Sequence, residues 1–234
     1  MQKLNELSLF FPAYNEEVNL RETVEKSIPH LQKAAEKYEI VIVDDGSKDK
    51  TGEIADSLAK KYSFVRVIHH NPNRGYGGAM QSGWYGCRYE WISFIDADGQ
   101  FDFSEISKFI EKQRETGADL VIGRYLKRAV SRMVILTSKL WELAVFILFG
   151  LKVTDIDCGF KLVRKKVIET IPHLESERGP FITSELLIKA KKAGFKFAEV
   201  DVHHFPRKGG KATGRSFKVI LSGLLDLFRL RCKI

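Results

Sequence analysis

Residues 94–102 read FIDADGQFD: an apolar run of strand length gives way to three carboxylates and an amide. The run itself, Trp91 to Ile95, is the fourth of a series. Leu7 to Phe11 leads into PAYNEE, Ile40 to Val43 into DDGSKD, and Phe64 to Ile68 into HHNPNRGYGG; a fifth run follows at Leu120 to Ile122. Between the runs lie polar segments with apolar residues at helical spacing, Val18 to Lys37 and Lys50 to Tyr62 among them. Strands alternating with helices predict an α/β fold whose mainly parallel sheet has right-handed crossovers and flanking helices. In such a sheet ligands bind beyond the carboxyl ends of the strands, which is where all four polar loops fall.

Beyond residue 125 the pattern changes. Ser131 to Phe149, SRMVILTSKLWELAVFILF, is strongly apolar but interrupted by Lys139 and Glu142, which makes it a core or interfacial helix and not a bilayer span. Strands are expected at Phe160 to Val163 and Phe197 to Val202, and a helix from Ile182 to Ala193. The closing helix, Phe217 to Leu230, sets Phe217, Ile220, Leu221, Leu224, Leu227 and Phe228 against Lys218, Ser222, Asp226 and Arg229 on the opposite face. With no long linker, repeat or low-complexity tract, one domain over residues 1–234 is expected, residues 1–125 carrying the four loops and residues 126–234 the second half.

The 44% hydrophobic content is enough for a full-sized core. The 38 Lys and Arg exceed the 30 Asp and Glu by eight, and six of that excess lie from Asp201 onward, which favours an anionic partner. Nucleic acid is not expected, because no RNP-like, zinc-finger or helix-turn-helix pattern accompanies the basic tail. Cys87, Cys158 and Cys232 are odd in number and widely spaced, so neither a disulfide framework nor a zinc site is suggested, and a reducing, cytoplasmic setting fits. The first residues lack a cleavage pattern and are read as part of the fold.

Three chemistries compete for the acidic loop. An EF-hand counted from Asp96 needs Gly at the sixth place and Glu at the twelfth, where Phe101 and Ser107 stand. A phosphatase of the haloacid dehalogenase type would use Asp96 and Asp98 as nucleophile and acid/base, yet Gln100 replaces the usual hydroxyl residue and the motif follows the fourth strand instead of the first. The third chemistry is a divalent cation held against a diphosphate: Mg²⁺ or Mn²⁺ needs only one or two carboxylates and takes its other ligands from phosphate and water. Helix capping by Asp is the bland alternative to all three.

PAYNEE, VDDGSKD, NRGYGGA and DADGQ, in this order over about the first 125 residues, resemble a family 2 glycosyltransferase of the GT-A fold, most closely its dolichol-phosphate mannose synthase-like branch. The resemblance implies a nucleotide-diphosphate sugar donor bound by Pro12, Tyr14, Glu16, Val43, Asp45, Asp96 and Ala97, with Asp98 and Gln100 as ligands of Mg²⁺ or Mn²⁺. Gly75, Gly77 and Gly78 would let the donor approach the backbone. GRYLKR and DIDCGFKLVR resemble downstream family signatures and imply that Arg124 lies near the reacting phosphates, with Arg132 and Ser138 on the acceptor side. HHFPRKGGKATG resembles a basic loop and adds Arg207 to Asp96, Asp98 and Arg124 as the catalytic set. The family lysine after it falls at Thr213, leaving Lys211 or Arg215 to substitute, and an arginine of the acceptor helix falls at Val134.

The implied reaction is inverting transfer of a hexose, from a GDP-mannose or UDP-glucose type of donor, to a polyprenyl or dolichyl phosphate. A phosphate monoester with a second pKa of roughly 6 is already a dianion at neutral pH and needs no general base. A hydroxyl acceptor of a glycan or glycolipid is the alternative; it would need one, and Asp157 or Glu185 would be the candidates. A lipid acceptor implies a peripheral protein at the cytoplasmic face, held on an anionic membrane surface by the two apolar helices, and leaves room for an integral membrane partner protein.

Overall fold

The computed structural model describes residues 2–126, 132–177, 179–207, 209 and 217–233. Its elements run β1 (Leu4–Ala13), α1 (Leu20–Ala34), β2 (Ala35–Asp44), α2 (Thr51–Lys61), β3 (Val65–His69), α3 (Tyr76–Gly86), β4 (Trp91–Ile95), a 3₁₀ turn (Phe103–Glu105), α4 (Ile106–Thr116) and β5 (Leu120–Tyr125). Then follow α5 (Arg132–Phe149), β6 (Phe160–Arg164), α6 (Lys165–Thr170), α7 (Phe181–Lys192), β7 (Phe197–Val202) and α8 (Phe217–Lys233).

The strands form one sheet in the order β3-β2-β1-β4-β6-β5-β7. The pairs β1–β2, β1–β4, β2–β3 and β5–β7 are parallel, as the alternation of strands and helices requires, whereas β6 runs antiparallel to both of its neighbours. Its reversal has a simple cause. The chain leaves β5 at the carboxyl edge, passes through α5 and comes back at the same edge, so Phe160 enters the sheet opposite Ile95, where β4 ends. The DIDCG segment is thereby delivered to the carboxyl end of β4, next to the acidic loop.

Central strands buried on both faces explain why their sequences are continuous apolar runs: Phe10, Val41 and Phe94 meet α3, α6 and α7 on one side, and Leu9, Ile42 and Phe160 meet α1, α2 and α4 on the other. α1 ends at Ala34, earlier than the expected Lys37, because Ala35 turns extended and starts β2 with no loop between.

α5 has two apolar faces, one packed on the core and one exposed. Trp141, Ala144, Val145, Leu148 and Phe149 pack on the core, while Met133, Leu136, Leu140, Leu143 and Ile147, alternately three and four residues apart, are exposed by 51 to 70%. In α8, Leu227 and Leu230 are buried but Phe228, expected on the same face, is exposed together with Leu225; Phe217, Ile220, Leu221 and Leu224 have side chains outside the described set. Among the described residues no helix is long and apolar enough to cross a membrane.

Candidate active site at the carboxyl edge of the sheet

The loops after β1 and β2 are laced to each other. Asn15, held at φ 56°, donates its amide to Ser47 Oγ at 3.0 Å and accepts from the Lys48 amide at 2.8 Å. The Glu16 amide donates to Thr51 Oγ1 at 2.7 Å, and the Glu17 carboxylate accepts from the Lys50 amide at 3.1 Å. These bonds place Pro12, Tyr14 and Glu16 beside Val43 and Asp45; Pro12 pairs with Val43 in the sheet register, both of them buried, while Tyr14 is half-buried.

Asp45, 2% exposed, accepts from the amides of Arg74 and Gly75 at 2.9 and 2.8 Å and from Asn73 Nδ2 at 2.7 Å, and it meets His70 Nδ1 at 2.6 Å. It therefore ties down the loop from His70 to Gly75. Asp44 does similar work through the Ser47 amide and His69 Nδ1. The glycines that follow have a reason besides ligand approach. A Cβ on Gly77 would stand 2.2 Å from the Ser176 carbonyl oxygen, and the Gly78 amide donates to the Glu177 carbonyl, so the start of α3 is closed by the segment before α7.

The loop after β4 is different. Asp96 accepts from the Tyr76 hydroxyl at 3.2 Å, and its other oxygen lies so near the Gly159 backbone that a Cβ there would sit 2.4 Å from it; only glycine fits. Asp98 accepts from the Gln100 amide at 3.0 Å and faces Arg207 Nη1 at 3.4 Å. Burial, followed by the charge of Asp98, pushes the Asp96 carboxyl up to about 7. Burial also raises Asp98, against the opposing pull of the Gln100 amide and Arg207. Burial and mutual repulsion thus favour the protonated form of both carboxyls unless a cation stands beside them.

Arg207 arrives from far along the chain. Its guanidinium contacts the Glu16 and Asp98 carboxylates, and its Nε donates to the Gly209 carbonyl at 2.7 Å. Burial raises the Glu16 carboxyl, while Asn19 and Arg207 pull it down. Gln100 fastens the same strap: its side-chain amide donates to the Phe205 carbonyl and its backbone carbonyl accepts from the Phe205 amide, each at 2.9 Å. Glu16, Asp98, Gln100 and Arg207 are thus gathered at one spot, with Ala97 buried between the acidic residues.

A divalent cation fits this spot. Asp98 and the Gln100 side-chain oxygen are the residues that would hold it, and Arg207 already shows that a cation is accepted against Asp98 and Glu16. Among the described residues no group of three or more His, Cys, Asp or Glu is placed to hold a metal ion by itself.

Of the residues expected on the acceptor side, Arg124 and Ser138 have described side chains, and neither has a described contact with this cluster. Arg124, 45% exposed at its side chain, is paired with Asp201 at 2.6 Å, two strands and so roughly 10 Å across the sheet from β4. Ser138 is half-exposed on α5, and Arg132 is placed at the start of that helix with its side chain outside the described set. Thr213, Lys211 and Arg215 also lie outside it. Glu185 is unsuited to act as a base: it is 2% exposed, accepts from the Glu175 and Ser176 amides at 2.9 Å each and pairs with Lys189 at 2.6 Å. Asp157, in contrast, is exposed.

Sequence reading missed Tyr76, Asn19 and Lys161. The last had a signal, a single charge inside the apolar run FKLV of a buried strand.

A profile described as glycosyl transferase family 2 matches residues 8–171, from inside β1 to just past α6, and takes in the loops after β1, β2, β3 and β4 but neither the segment before α7 nor the strap. The chain belongs to this family. It is 31% identical over 245 residues to the dolichyl-phosphate beta-glucosyltransferase of Dictyostelium discoideum, covering 96% of this chain and 73% of that protein. It is 28% identical over 210 residues to the glycosyltransferase AglD of Haloferax volcanii, covering 86% of this chain and a third (33%) of that one. Glucosyl-3-phosphoglycerate synthase from Mycobacterium tuberculosis, solved with Mn²⁺, UDP and its product, superposes with a TM-score of 0.73 at 19% identity over 98% of this chain and 81% of that chain. The family 2 chain therefore has the GT-A fold expected of it, with a mostly parallel seven-stranded sheet.

Proposed function

We propose that this family 2 glycosyltransferase transfers a hexose from a nucleotide-diphosphate sugar to a polyprenyl phosphate with inversion. The observation that carries the reading is the pair Asp96 and Asp98, raised by burial at the carboxyl edge of the sheet and faced by Arg207. The name of the Dictyostelium relative favours a glucosyl over a mannosyl donor, and the dolichyl phosphate in that name favours a lipid phosphate over a glycan hydroxyl. Mn²⁺ or Mg²⁺ on Asp98 and Gln100 would supply charge neutralisation for the departing diphosphate.

The chain's own residues then divide the work. Tyr14 offers a ring for the base, Glu16 and the tightly held loop of Asp45 frame the nucleotide, and Asp96 and Ala97 line the sugar-diphosphate. Arg207, released from Glu16, is placed to meet phosphate charge as it develops. The attacking oxygen is a lipid phosphate, already dianionic, with Arg124, Arg132 and Ser138 steering it; no side chain must remove a proton. For a hydroxyl acceptor Asp157 is the one remaining candidate of the two named above.

The exposed stripe of α5, with Arg229, Arg231 and Lys233 at the end of α8, supports peripheral attachment to an anionic membrane surface. Labelled UDP-glucose and GDP-mannose, each incubated with the protein, Mn²⁺ or Mg²⁺ and a polyprenyl phosphate, test the reading: label should enter the lipid phase and EDTA should stop it. Turnover undiminished in EDTA would rule out the metal, and label appearing only in glycan would rule out the lipid. Leu140→Glu together with Ile147→Glu should reduce co-sedimentation with anionic vesicles.

A further inference from the structure

Lys161 is buried to 0% exposure in β6, where its strand neighbours Phe160, Leu162 and Val163 are apolar and equally buried. A lysine there is costly unless its ammonium is matched, and methionine would fill similar space without that cost. Its Nζ donates to the Ile156 carbonyl at 3.1 Å and to the Cys158 carbonyl, and lies 5.5 Å over the Phe94 ring. Burial pulls its pKa down, while Cys158, Asp157, Asp96 and Asp155 pull it up. Both carbonyls it holds belong to the segment Asp155–Gly159. That segment is fixed at its start by the Asp155 carboxylate, which accepts from the Tyr125 amide at 2.9 Å, and at its end Gly159 presses on Asp96. Two carbonyls turned inward leave the residue between them, Asp157, turned out to the carboxyl edge, where it is exposed.

We infer that Lys161 is a positioning residue for glycosyl transfer: its buried ammonium stiffens the Asp155–Gly159 segment so that Gly159 seats the Asp96 carboxylate and Asp157 faces the acceptor side. It touches neither donor nor acceptor and acts through the backbone it holds. The inference rests on the glycosyl-transfer reading, so its test includes a measurement that needs no turnover.

Lys161→Met removes the charge at nearly constant volume. Amide hydrogen exchange should speed up in Asp155–Gly159 while the amides of β1 and β2 keep their protection. With Mn²⁺ and UDP-glucose, kcat should fall about 100-fold, as a small misplacement of reacting groups can cause, with the donor Kd from calorimetry within about threefold of wild type, since Asp45 and Glu16 are untouched. In the Lys161→Met background Asp157→Asn should add little further loss. Should Lys161→Met fail to fold, Lys161→Gln, which keeps one donor, is measured in the same way. Unchanged exchange in the segment overturns the inference whatever the acceptor proves to be, and so does loosened exchange with wild-type kcat. Equal losses in donor affinity and kcat would mark a merely structural lysine. A wild-type protein that glycosylates no polyprenyl phosphate would sink the proposed acceptor, while the exchange result would still decide what Lys161 holds.

Discussion

Two pairs of aspartates close two strands on either side of β1, and they have opposite lives. Asp44 and Asp45, after β2, meet donors on every side: four groups reach Asp45 and two reach Asp44. Among the described residues Asp96 and Asp98, after β4, get one hydroxyl, the Gln100 amide and the amide of Asp98 itself, and a guanidinium at 3.4 Å. The residue type and the edge of the sheet are the same; the count of donors differs. A saturated carboxylate is part of the fold, and an unsaturated, crowded one is a place for a cation.

The largest effect that would break this contrast is on turnover. Asp98→Ala should lower transfer by roughly 10³-fold, the upper range for deleting one preorganised stabilising group, while the urea midpoint stays level or rises because a buried like-charge is relieved. A large fall in stability would show that Asp98 is structural after all. Next comes stability itself. Asp45→Ala takes the acceptor from buried His70 and from the half-buried Arg74 and Gly75 amides, and should cost about 3 kcal/mol by urea unfolding, given one to three for each buried group left unpaired and incomplete additivity. A cost below about 1 kcal/mol would erase the distinction between the pairs. It should also weaken UDP-glucose binding more than Ser138→Ala does.

A pH profile sharpens the same contrast. The Asp96 carboxyl sits at about 7 in the fold, above its ordinary 3.8, so its proton favours the folded protein fully below about pH 4 and that favour is lost as pH climbs through 7. Asp98 and Glu16, also raised, act with the same sign. Metal-free protein should therefore have a lower urea midpoint at pH 8 than at pH 5, and Asp96→Asn should flatten the difference. Smallest is the acceptor side: Ser138→Ala should raise the KM for polyprenyl phosphate about threefold to tenfold, the size of one hydrogen bond, with donor Kd unmoved.

The central strands were legible because strands buried on both faces must be largely apolar, and the half-buried edge strands β3 and β7 by the apolar residues that alternate with their charged ones; all seven lie where the runs predicted. α3 was not, since GYGGAMQSGWYG reads as a loop. Its glycines answer instead to close neighbours: a Cβ on Gly83 would strike the Phe10 ring at 2.3 Å. The reversal of β6 was equally hidden, because hydrophobic periodicity carries no direction. At the site, residues read from the loops gathered as expected where one loop supplied them, as in DADGQ. What pattern could not supply was long-range pairing: Arg207 reaches Glu16 across 191 positions, Tyr76 finds Asp96, and Glu185 is spent on a turn.

The place of β6 also bears on how such a protein can be divided. Because this late strand is inserted between β4 and β5, both from the first 125 residues, the halves that the sequence suggested are interleaved, not joined end to end. A fragment stopping at residue 125 would leave β4 as an open edge and β5 with neither of its neighbours, β6 and β7. The loops proposed to bind the donor are thus not a transplantable module, and any grafting of new specificity onto this scaffold has to be done loop by loop along the carboxyl edge.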